Sequence, residues 1–278
     1  MTRILLGLAI VVGLLTAGCS DSEDGEPRAL GHIHGLGVNP ADGMLYAATH
    51  YGVYQVSGER DPKLLGDIVQ DFMGFTVVGS DHFLGSGHPG EGYHNQPPSL
   101  GLIESTDGGR SWHSLSLNGE ADFHALEYRH DRVYGYDSHS GRVMVSSDKR
   151  FWDRRAQIQT VDIAVSPRNP DELLATTPDG LLSSGDGALT FSSVDATPPL
   201  VFLSWPDQGS LVGVDPTGSV YSSDDSGARW QARRALGERP QAILAAGGGL
   251  VFVATDRAIH RSTNNGVTFE SYQALDAH

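Results

Sequence analysis

One eight-residue pattern recurs along this chain at a nearly constant interval. It has the form S-x-D-x-G-x-x-W or F. Four copies, which match with small changes, start at Ser105, Ser184, Ser223 and Ser262, and a shortened copy starts at Ser146. A repeat of about 40 residues is typical of chains built from several copies of one small supersecondary unit. The interval therefore predicts a repeat architecture.

The residue types in the pattern are those of a tight turn. Short Ser and Asp side chains hydrogen-bond neighbouring backbone N–H groups, and Gly adopts backbone angles that other residues resist. The closing aromatic ring has a large apolar surface to bury. We therefore predict a structural turn inside a β-hairpin. The central acceptors of the five turns are Asp107, Asp148, Asp186, Asp225 and Asn264.

Around these turns the sequence divides into six units, each with four short β-rich runs separated by Gly, Asp, Asn or Pro. Six four-stranded sheets arranged around an axis form a six-bladed propeller, which leaves no long sheet edge exposed. A seventh blade would need a longer chain. We predict an all-β, six-bladed β-propeller over residues 31–278.

The repeated turn resembles the Asp-box (BNR) repeat, and the chain from His32 onward is similar to sialidase-type β-propellers. Within that group it resembles bacterial envelope lipoproteins that carry sialidase-like or glycosyl-hydrolase labels. Sialidases of this kind surround the substrate carboxylate with arginines. Here the strand starts carry none, and only Arg142 and Arg257 lie on the corresponding face. The resemblance implies a glycoside hydrolase as an alternative function, one that does not act on sialic acid.

The N-terminus has the form of an export signal. Arg3 precedes an apolar run, which ends in the sequence Leu-Thr-Ala-Gly-Cys at Cys19, the only cysteine of the chain. This ending resembles a bacterial lipobox. We predict a lipoprotein signal peptide over residues 1–18, lipidation of Cys19 and an acidic tether over residues 19–30. A plain secretory signal or an uncleaved anchor are the alternatives.

These features place the protein, by expectation, at the cell envelope, anchored in the membrane on the extracytoplasmic side. The formal net charge of −15 disfavours nucleic acid and anionic membrane surfaces as partners, because both require a basic patch.

The up-and-down order of strands in a blade assigns residues to faces. The first strand of each blade starts on the face opposite the repeated turns. The loop between the second and third strands lies on that same face. Aligned strand starts give two columns of residues on that face, and the loops add further histidines. The first column is His32, Asp71, Asp122 and Asp162, the second is His34, Met73, His124 and Ala164, and the loop residues are His50, His88, His94 and His139.

Histidines that converge from several blades supply the ligand types of a metal site. Imidazole suits zinc and copper, and a thioether shifts the preference towards copper. We predict a copper or zinc site in which His34, His124 and Met73 face one another near the axis. His32, His50 or His88 would complete the ligand set, and Asp71 and Asp122 would be supporting partners or further ligands.

Other interpretations of the same face remain open. It could be a pocket for a small polar ligand or a wet channel lining. In the glycoside hydrolase alternative, the carboxylates would be Asp71, Asp122 and Asp162. A third alternative is a scaffold that docks another envelope protein. The long loop over residues 87–99, with Tyr93 and His94, is expected to cover the pocket, since long loops on rigid scaffolds often carry function.

Overall fold

The computed structural model describes residues 30–67, 69–90, 95–207 and 209–275. Within these ranges all the secondary-structure elements are β-strands. The described residues contain no helix that is long and apolar enough to cross a membrane. The predicted signal peptide, Cys19 and the tether as far as Ala29 lie outside the described residues, as do Tyr93 and His94 of the predicted cover loop.

The described strands form six antiparallel sheets of four, each in simple chain order. We number these sheets as blades 1 to 6, and their strands are as follows. Blade 1 has β1 (Ile33–Val38), β2 (Leu45–Thr49), β3 (Gly52–Val56) and β4 (Lys63–Leu64); blade 2 has β5 (Asp71–Gly79), β6 (His82–His88), β7 (Leu102–Ser105) and β8 (His113–Ser116); blade 3 has β9 (Phe123–Arg129), β10 (Arg132–Asp137), β11 (Arg142–Ser146) and β12 (Asp153–Gln157). Blade 4 has β13 (Asp162–Val165), β14 (Leu173–Thr177), β15 (Gly180–Ser184) and β16 (Ser192–Ser193); blade 5 has β17 (Phe202–Ser204), β18 (Leu211–Val214), β19 (Ser219–Ser223) and β20 (Gln231–Ala235); blade 6 has β21 (Pro240–Gly247), β22 (Leu250–Thr255), β23 (Ala258–Ser262) and β24 (Glu270–Ala274).

An apolar cluster fills each interface between neighbouring blades. Alternate residues of one strand serve opposite interfaces, because successive side chains of a strand point to opposite faces. In β2, for example, Leu45 packs in the cluster with blade 6, whereas Tyr46 packs with Phe83 of blade 2. The second strands are therefore buried on both faces, and their sequences are nearly continuous apolar runs. This arrangement is the predicted all-β, six-bladed propeller.

The repeated turns fold through hydrogen bonds between their own residues. In the first turn, Ser105 Oγ donates to Asp107 Oδ1 at 2.9 Å and accepts from the Gly109 N–H at 2.8 Å. Asp107 also accepts from the Ser111 N–H at 2.9 Å. The Gly108 N–H donates to the Asp81 carbonyl, in the turn between β5 and β6. The repeated turn therefore lies at the end of the blade away from the start of β5.

The ring closes through side chains rather than through a strand shared between the ends of the chain. Tyr272 of blade 6 stacks edge to face on Phe252, with ring centroids 5.4 Å apart. Its hydroxyl donates to the Val56 carbonyl of blade 1 at 3.3 Å. A Cβ placed on Gly58 would lie 2.6 Å from the Tyr272 ring, so Gly58 provides the space for this contact.

The first strands of blades 1, 2, 3 and 6 each carry one extra residue near their start. In β1, Ile33 pairs with Thr49 but Gly35 pairs with Ala48, which leaves His34 unpaired. The same irregularity leaves Met73 in β5, His124 in β9 and Gln241 in β21 without a pairing partner in the ladder. Such a bulge re-aims side chains locally. The side chains at these strand starts therefore depart from a plain two-residue alternation.

Candidate metal centre

Three imidazoles and a carboxylate meet between blades 1 and 2; we call His32, His34, His50 and Asp71 the first group. His34 Nε2 and His50 Nε2 are 3.3 Å apart, and His50 Nδ1 is 2.7 Å from Asp71 Oδ1. The His32 ring lies beside both other rings, with centroid distances of 4.6 Å to His34 and 5.6 Å to His50.

The local fold explains why these side chains meet. Ile33, between His32 and His34, is fully buried and fixes the start of β1. The extra residue of the strand is His34 itself. The His50 N–H donates to the His32 carbonyl at 3.4 Å, which holds the loop between β2 and β3 against the start of β1.

Hydrogen bonding determines which nitrogen of His50 is free. A carboxylate only accepts hydrogen bonds, so His50 Nδ1 carries the proton that Asp71 accepts, and Nε2 keeps its lone pair. Two ligands at about 2.0–2.1 Å from a tetrahedral ion lie roughly 3.3 Å apart. The 3.3 Å separation of His34 Nε2 and His50 Nε2 matches that spacing. Without an ion, the same separation suits a hydrogen bond from one imidazole to the other.

Electrostatics keep two of these rings neutral. Burial, and then the neighbouring His32, His50 and His124, lower the pKa of His34 to about 3. Burial, and then the proximity of His50, also lowers the pKa of His32. Neutral imidazoles retain the lone pair that a metal ion needs, so protons do not compete for these two rings near neutral pH.

A second set of ligating side chains lies between blades 2 and 3; we call His88, Asp122 and His124 the second group. His124 Nε2 is 2.7 Å from Asp122 Oδ2, and His88 Nε2 is 3.8 Å from the same oxygen. His88 Nδ1 donates to the Pro98 carbonyl at 2.8 Å, which directs its Nε2 towards Asp122. In the first group, His34, His50 and Asp71 each offer one ligand atom, and these three atoms lie within 4.8 Å of one another. The same holds for the three members of the second group.

Asp122 is the most enclosed residue of the two groups, with 4% of its side chain exposed. Its Oδ2 accepts from the Ser138 hydroxyl at 2.8 Å, while its Oδ1 has no hydrogen-bond partner among the described residues. Burial alone would raise the pKa of Asp122, but hydrogen bonds from His124 and Ser138 outweigh it and lower the pKa. The carboxylate is therefore ionised and has an oxygen to spare.

The structure divides the predicted site residues between these two groups. His32, His34 and His50 lie in the first group and His88 and His124 in the second. The single centre of His34, His124 and Met73 stays a prediction, with His34 and His124 in different groups. Met73 is partly buried. Among the described residues, His34 and His124 line the axial cavity and Met73 does not. His139 Nε2 approaches Ser99 Oγ at 3.5 Å, outside both groups.

Asp162, the third predicted catalytic carboxylate, bonds to backbone N–H groups. Its two oxygens accept from the Ile163 N–H at 2.9 Å and from the Leu203 N–H of blade 5 at 2.8 Å. Burial raises the pKa of Asp162 to about 7, although these two hydrogen bonds act to lower it. Part of the residue borders the axial cavity. It links blades 4 and 5 and lies outside the two metal-competent groups.

An axial cavity of about 660 Å³ runs along the first strands of the blades. His34 and His124 line it at the strand starts, and Glu127, Arg129 and Asp207 line it towards the opposite face. Arg129 Nε donates to Glu127 Oε1 at 2.9 Å, and its other nitrogens bind Asp207 and the Trp205 carbonyl of blade 5. Glu127 Oε2 accepts from the Val165 N–H of blade 4 at 2.7 Å.

Sequence reasoning missed this ion-pair cluster and the donor Ser138. The two-residue spacing of Glu127 and Arg129 on one strand was a signal for a shared face. Asp207 follows 78 residues after Arg129, and nothing in its local sequence indicates the pairing.

Comparison with known proteins shows the fold. No family model matches the chain, and no curated sequence matches it. Among solved structures, an ancestral GH74 enzyme superposes with a TM-score of 0.57 and 15% identity over 91% of this chain and 39% of that one. A nidogen/laminin complex gives 0.62 with 12% identity over 84% and 96%, and YCF48 bound to a D1 peptide gives 0.55 with 15% identity over 88% and 82%.

This chain spans about two fifths of the length of the GH74 enzyme. All three identities are low enough that the likeness concerns the architecture alone. These solved structures include an enzyme, a nidogen/laminin complex and a peptide-bound protein, which illustrates that one fold carries unrelated functions. What the comparisons establish is a β-propeller that resembles the propellers of glycoside hydrolases.

Proposed function

We propose that this protein binds a transition-metal ion, zinc or copper, at the mouth of its axial cavity through the first group. The observation that carries the proposal is the pair of imidazole nitrogens, His34 Nε2 and His50 Nε2, at the spacing of two ligands on one ion. His32 is the third imidazole within reach, and Asp71 orients His50 from behind, as carboxylates do for metal-bound histidines.

The surroundings of the group support a cation. The formal net charge of the chain is −15, which raises the local concentration of cations near an acidic mouth. Two or three imidazoles leave at least one coordination position open. That position would face the axial cavity, since His34 lines it. An open position is what separates sites that bind a further ligand from purely structural ones.

The test is metal binding by the full-length protein, purified without a histidine tag. Calorimetric titration with Zn²⁺ and with Cu²⁺ is expected to show tight binding in the parent protein. His34→Ala and His50→Ala should each weaken the first equivalent by about 100-fold or more, because each removes a ligand.

His113→Ala is the matched control, since His113 is an exposed histidine on the outer strand β8 of blade 2. It should bind like the parent. Circular dichroism of each variant checks that the sheets remain folded. A parent protein that retains neither ion after dialysis, or a His34→Ala/His50→Ala double variant that still binds tightly, would contradict the proposal.

Glycoside hydrolysis is the second candidate function, and the likeness to GH74 propellers supports it at the level of the fold alone. Its predicted carboxylates are engaged elsewhere: Asp71 and Asp122 bond to imidazoles, and Asp162 bonds to backbone N–H groups. The assay is release of aryl alcohol from a panel of aryl glycosides. Activity that is lost in Asp71→Asn and Asp122→Asn while the metal content stays unchanged would favour hydrolysis over metal binding as the main function.

We also propose that the protein is a lipoprotein of the cell envelope, attached through Cys19. The support is the export signal and the single cysteine at its end. Incorporation of labelled fatty acid, absent from Cys19→Ser, is the expected result. An envelope protein is the partner class that this location offers, and likeness to the nidogen/laminin complex and to peptide-bound YCF48 is consistent with such a partner.

A further inference from the structure

We infer that the second group, His88, Asp122 and His124, binds a cation of its own, so that the mouth of the cavity is a two-ion centre. This inference rests on the proposed function and extends it from one ion to two. It follows from how neighbouring blades repeat, from the donor atoms of the second group and from the residue pair that joins the two groups.

The two groups are built by the same rule from successive blades. In the first, the loop histidine of blade 1, His50, meets the first residue of the next blade, Asp71, at 2.7 Å. In the second, the loop histidine of blade 2, His88, approaches the aspartate at the start of blade 3, Asp122, at 3.8 Å. The rotation that carries blade 1 onto blade 2 therefore carries His50 and Asp71 onto His88 and Asp122, and His124 of blade 3 joins the second group in addition.

Blade 2 contributes to both groups from one pair of residues. Asp71 and His88 are directly opposed in the ladder between β5 and β6. Directly opposed residues of an antiparallel pair have Cβ atoms about 4.5–5.5 Å apart. The two groups are therefore neighbours, and an ion in one would act on the charge and geometry of the other.

Each member of the second group has a donor atom for a metal. His88 Nδ1 is committed to the Pro98 carbonyl at 2.8 Å, which leaves the lone pair on Nε2. Asp122 is buried, and its Oδ1 has no partner among the described residues. An unpaired buried carboxylate oxygen is unfavourable, and a bound cation would satisfy it. His124 Nε2 donates to the same carboxylate at 2.7 Å, which leaves the lone pair on Nδ1, and the ring lines the cavity.

In blade 2 the position equivalent to His34 holds a softer donor. His34 is the extra residue of β1, and the equivalent extra residue of β5 is Met73. A thioether suits Cu(I), whereas imidazole with carboxylate suits zinc and Cu(II). We expect the second site to favour copper more strongly than the first, and Met73 to matter for Cu(I) alone.

Stoichiometry tests the inference. Full-length protein without a tag, dialysed against buffered Zn²⁺ and analysed for metal, should hold two equivalents. His88→Ala and His124→Ala should each hold one, His50→Ala should hold one, and His50→Ala/His124→Ala should hold none. His113→Ala should hold two. One equivalent in the parent protein, unchanged in His124→Ala, would overturn the second site and leave the proposed function standing; no bound metal would overturn both.

Met73→Leu provides an independent arm, because Leu has a similar volume and no sulfur. Under anaerobic conditions with Cu(I) as the probe, competition with a chromophoric chelator should show about tenfold weaker binding or more, with both zinc equivalents retained. Unchanged Cu(I) affinity would remove Met73 from the site. A parallel loss of zinc would mean that the substitution disturbs the bulge, and would contradict its role as a ligand.

Discussion

The hydrogen bond from His50 Nδ1 to Asp71 makes a prediction at the scale of single residues. Asp71→Asn keeps the shape of the side chain but replaces the carboxylate with a neutral amide. His50 Nε2 then becomes a weaker donor, and the affinity of the first ion should fall by about 10–100-fold. Calorimetry with Zn²⁺ measures the change. Equal affinity in the variant would show that Asp71 does not orient His50.

The Glu127–Arg129 pair carries a stability prediction at the same scale. Burial raises the pKa of Glu127 even with Arg129 beside it, so the carboxylate depends on that partner. Arg129→Met should destabilise the fold by about 2–3 kcal/mol, less than the roughly 3–5 kcal/mol for breaking a fully buried pair, because the two side chains keep 17% and 18% exposure. Urea unfolding measures it.

The matched control for that substitution is Arg132→Met. Arg132 and Asp171 are 3.7 Å apart, with 40% and 56% of their side chains exposed. Exposed pairs contribute about 0–1 kcal/mol. Equal destabilisation by the two substitutions would contradict a special role for the pair at the cavity.

The face on which the histidines lie could be predicted from their offsets in the repeat, but their grouping could not. His34, Met73 and His124 occupy the same column of the alignment, yet each is the extra residue of a bulged strand. A bulge depends on the pairing with the next strand and leaves no clear mark on the local sequence. Contacts between blades, such as His50 with Asp71, depend in addition on how two sheets dock.

At the scale of elements, the repeated turn should be sensitive to acid. Asp107 accepts hydrogen bonds from Ser105, Arg110 and Ser111, and although its partial burial opposes the shift, these bonds lower its pKa to about 2. Because the folded pKa is lowered, the stabilisation is present above about pH 4 and is lost as the pH falls towards 2.

Asp107→Ala should therefore lower the free energy of unfolding by about 1–2 kcal/mol at pH 7, and less at pH 2.5. Thermal unfolding at both pH values measures this. Asp148→Ala, in the shortened turn, is the comparison and should have a smaller effect. A pH-independent difference between the parent protein and Asp107→Ala would contradict the role of the ionised carboxylate.

The start of β5 gives a second prediction for an element. Gly87 faces the bulge with a φ of 149°, and a Cβ there would lie 1.9 Å from the Asp71 carbonyl oxygen. Gly87→Ala should cost about 2 kcal/mol or more and should weaken metal binding, because Asp71 must move. Gly79→Ala, with no atom within 4 Å of the added methyl, should be nearly neutral in both urea unfolding and calorimetry.

The strands themselves were the most predictable part of the chain. Buried second strands such as β2, whose five residues are all buried, appear in the sequence as short apolar runs between turn residues. Two-residue strands such as β4 and β16 could not be bounded in this way, because so short a strand has no periodicity of its own.

For the whole molecule, the contact between blades 6 and 1 is the place to test closure of the ring. Tyr272→Ala removes the ring that packs on Phe252 and Gly58 and the hydroxyl that binds the Val56 carbonyl. We expect a loss of about 2–3 kcal/mol, less than for a fully buried aromatic residue. Phe151→Ala, whose side chain is 81% exposed, should change stability little. Equal midpoints in urea for the two variants would contradict this role of Tyr272.

The number of blades and the overall architecture were predictable because the repeat interval is a property of the sequence alone. The ion-pair cluster at the far end of the axial cavity was not, since Arg129 and Asp207 come from different parts of the ring, blade 3 and the segment that follows β17 of blade 5, and meet only when the ring is complete. A repeat specifies its own unit well and specifies contacts across the axis poorly.

Because each sheet is one uninterrupted stretch of chain, no sheet has to wait for a distant segment before it can form. Short-range pairing of this kind favours rapid assembly, and units can accumulate one after another as the polypeptide emerges. Until the sixth sheet arrives, however, the apolar flank of the first, with Leu45 and Ala47, has no neighbour to cover it. The incomplete, open arc is thus the stage most exposed to aggregation, and joining its two ends is the long-range event that removes the hazard.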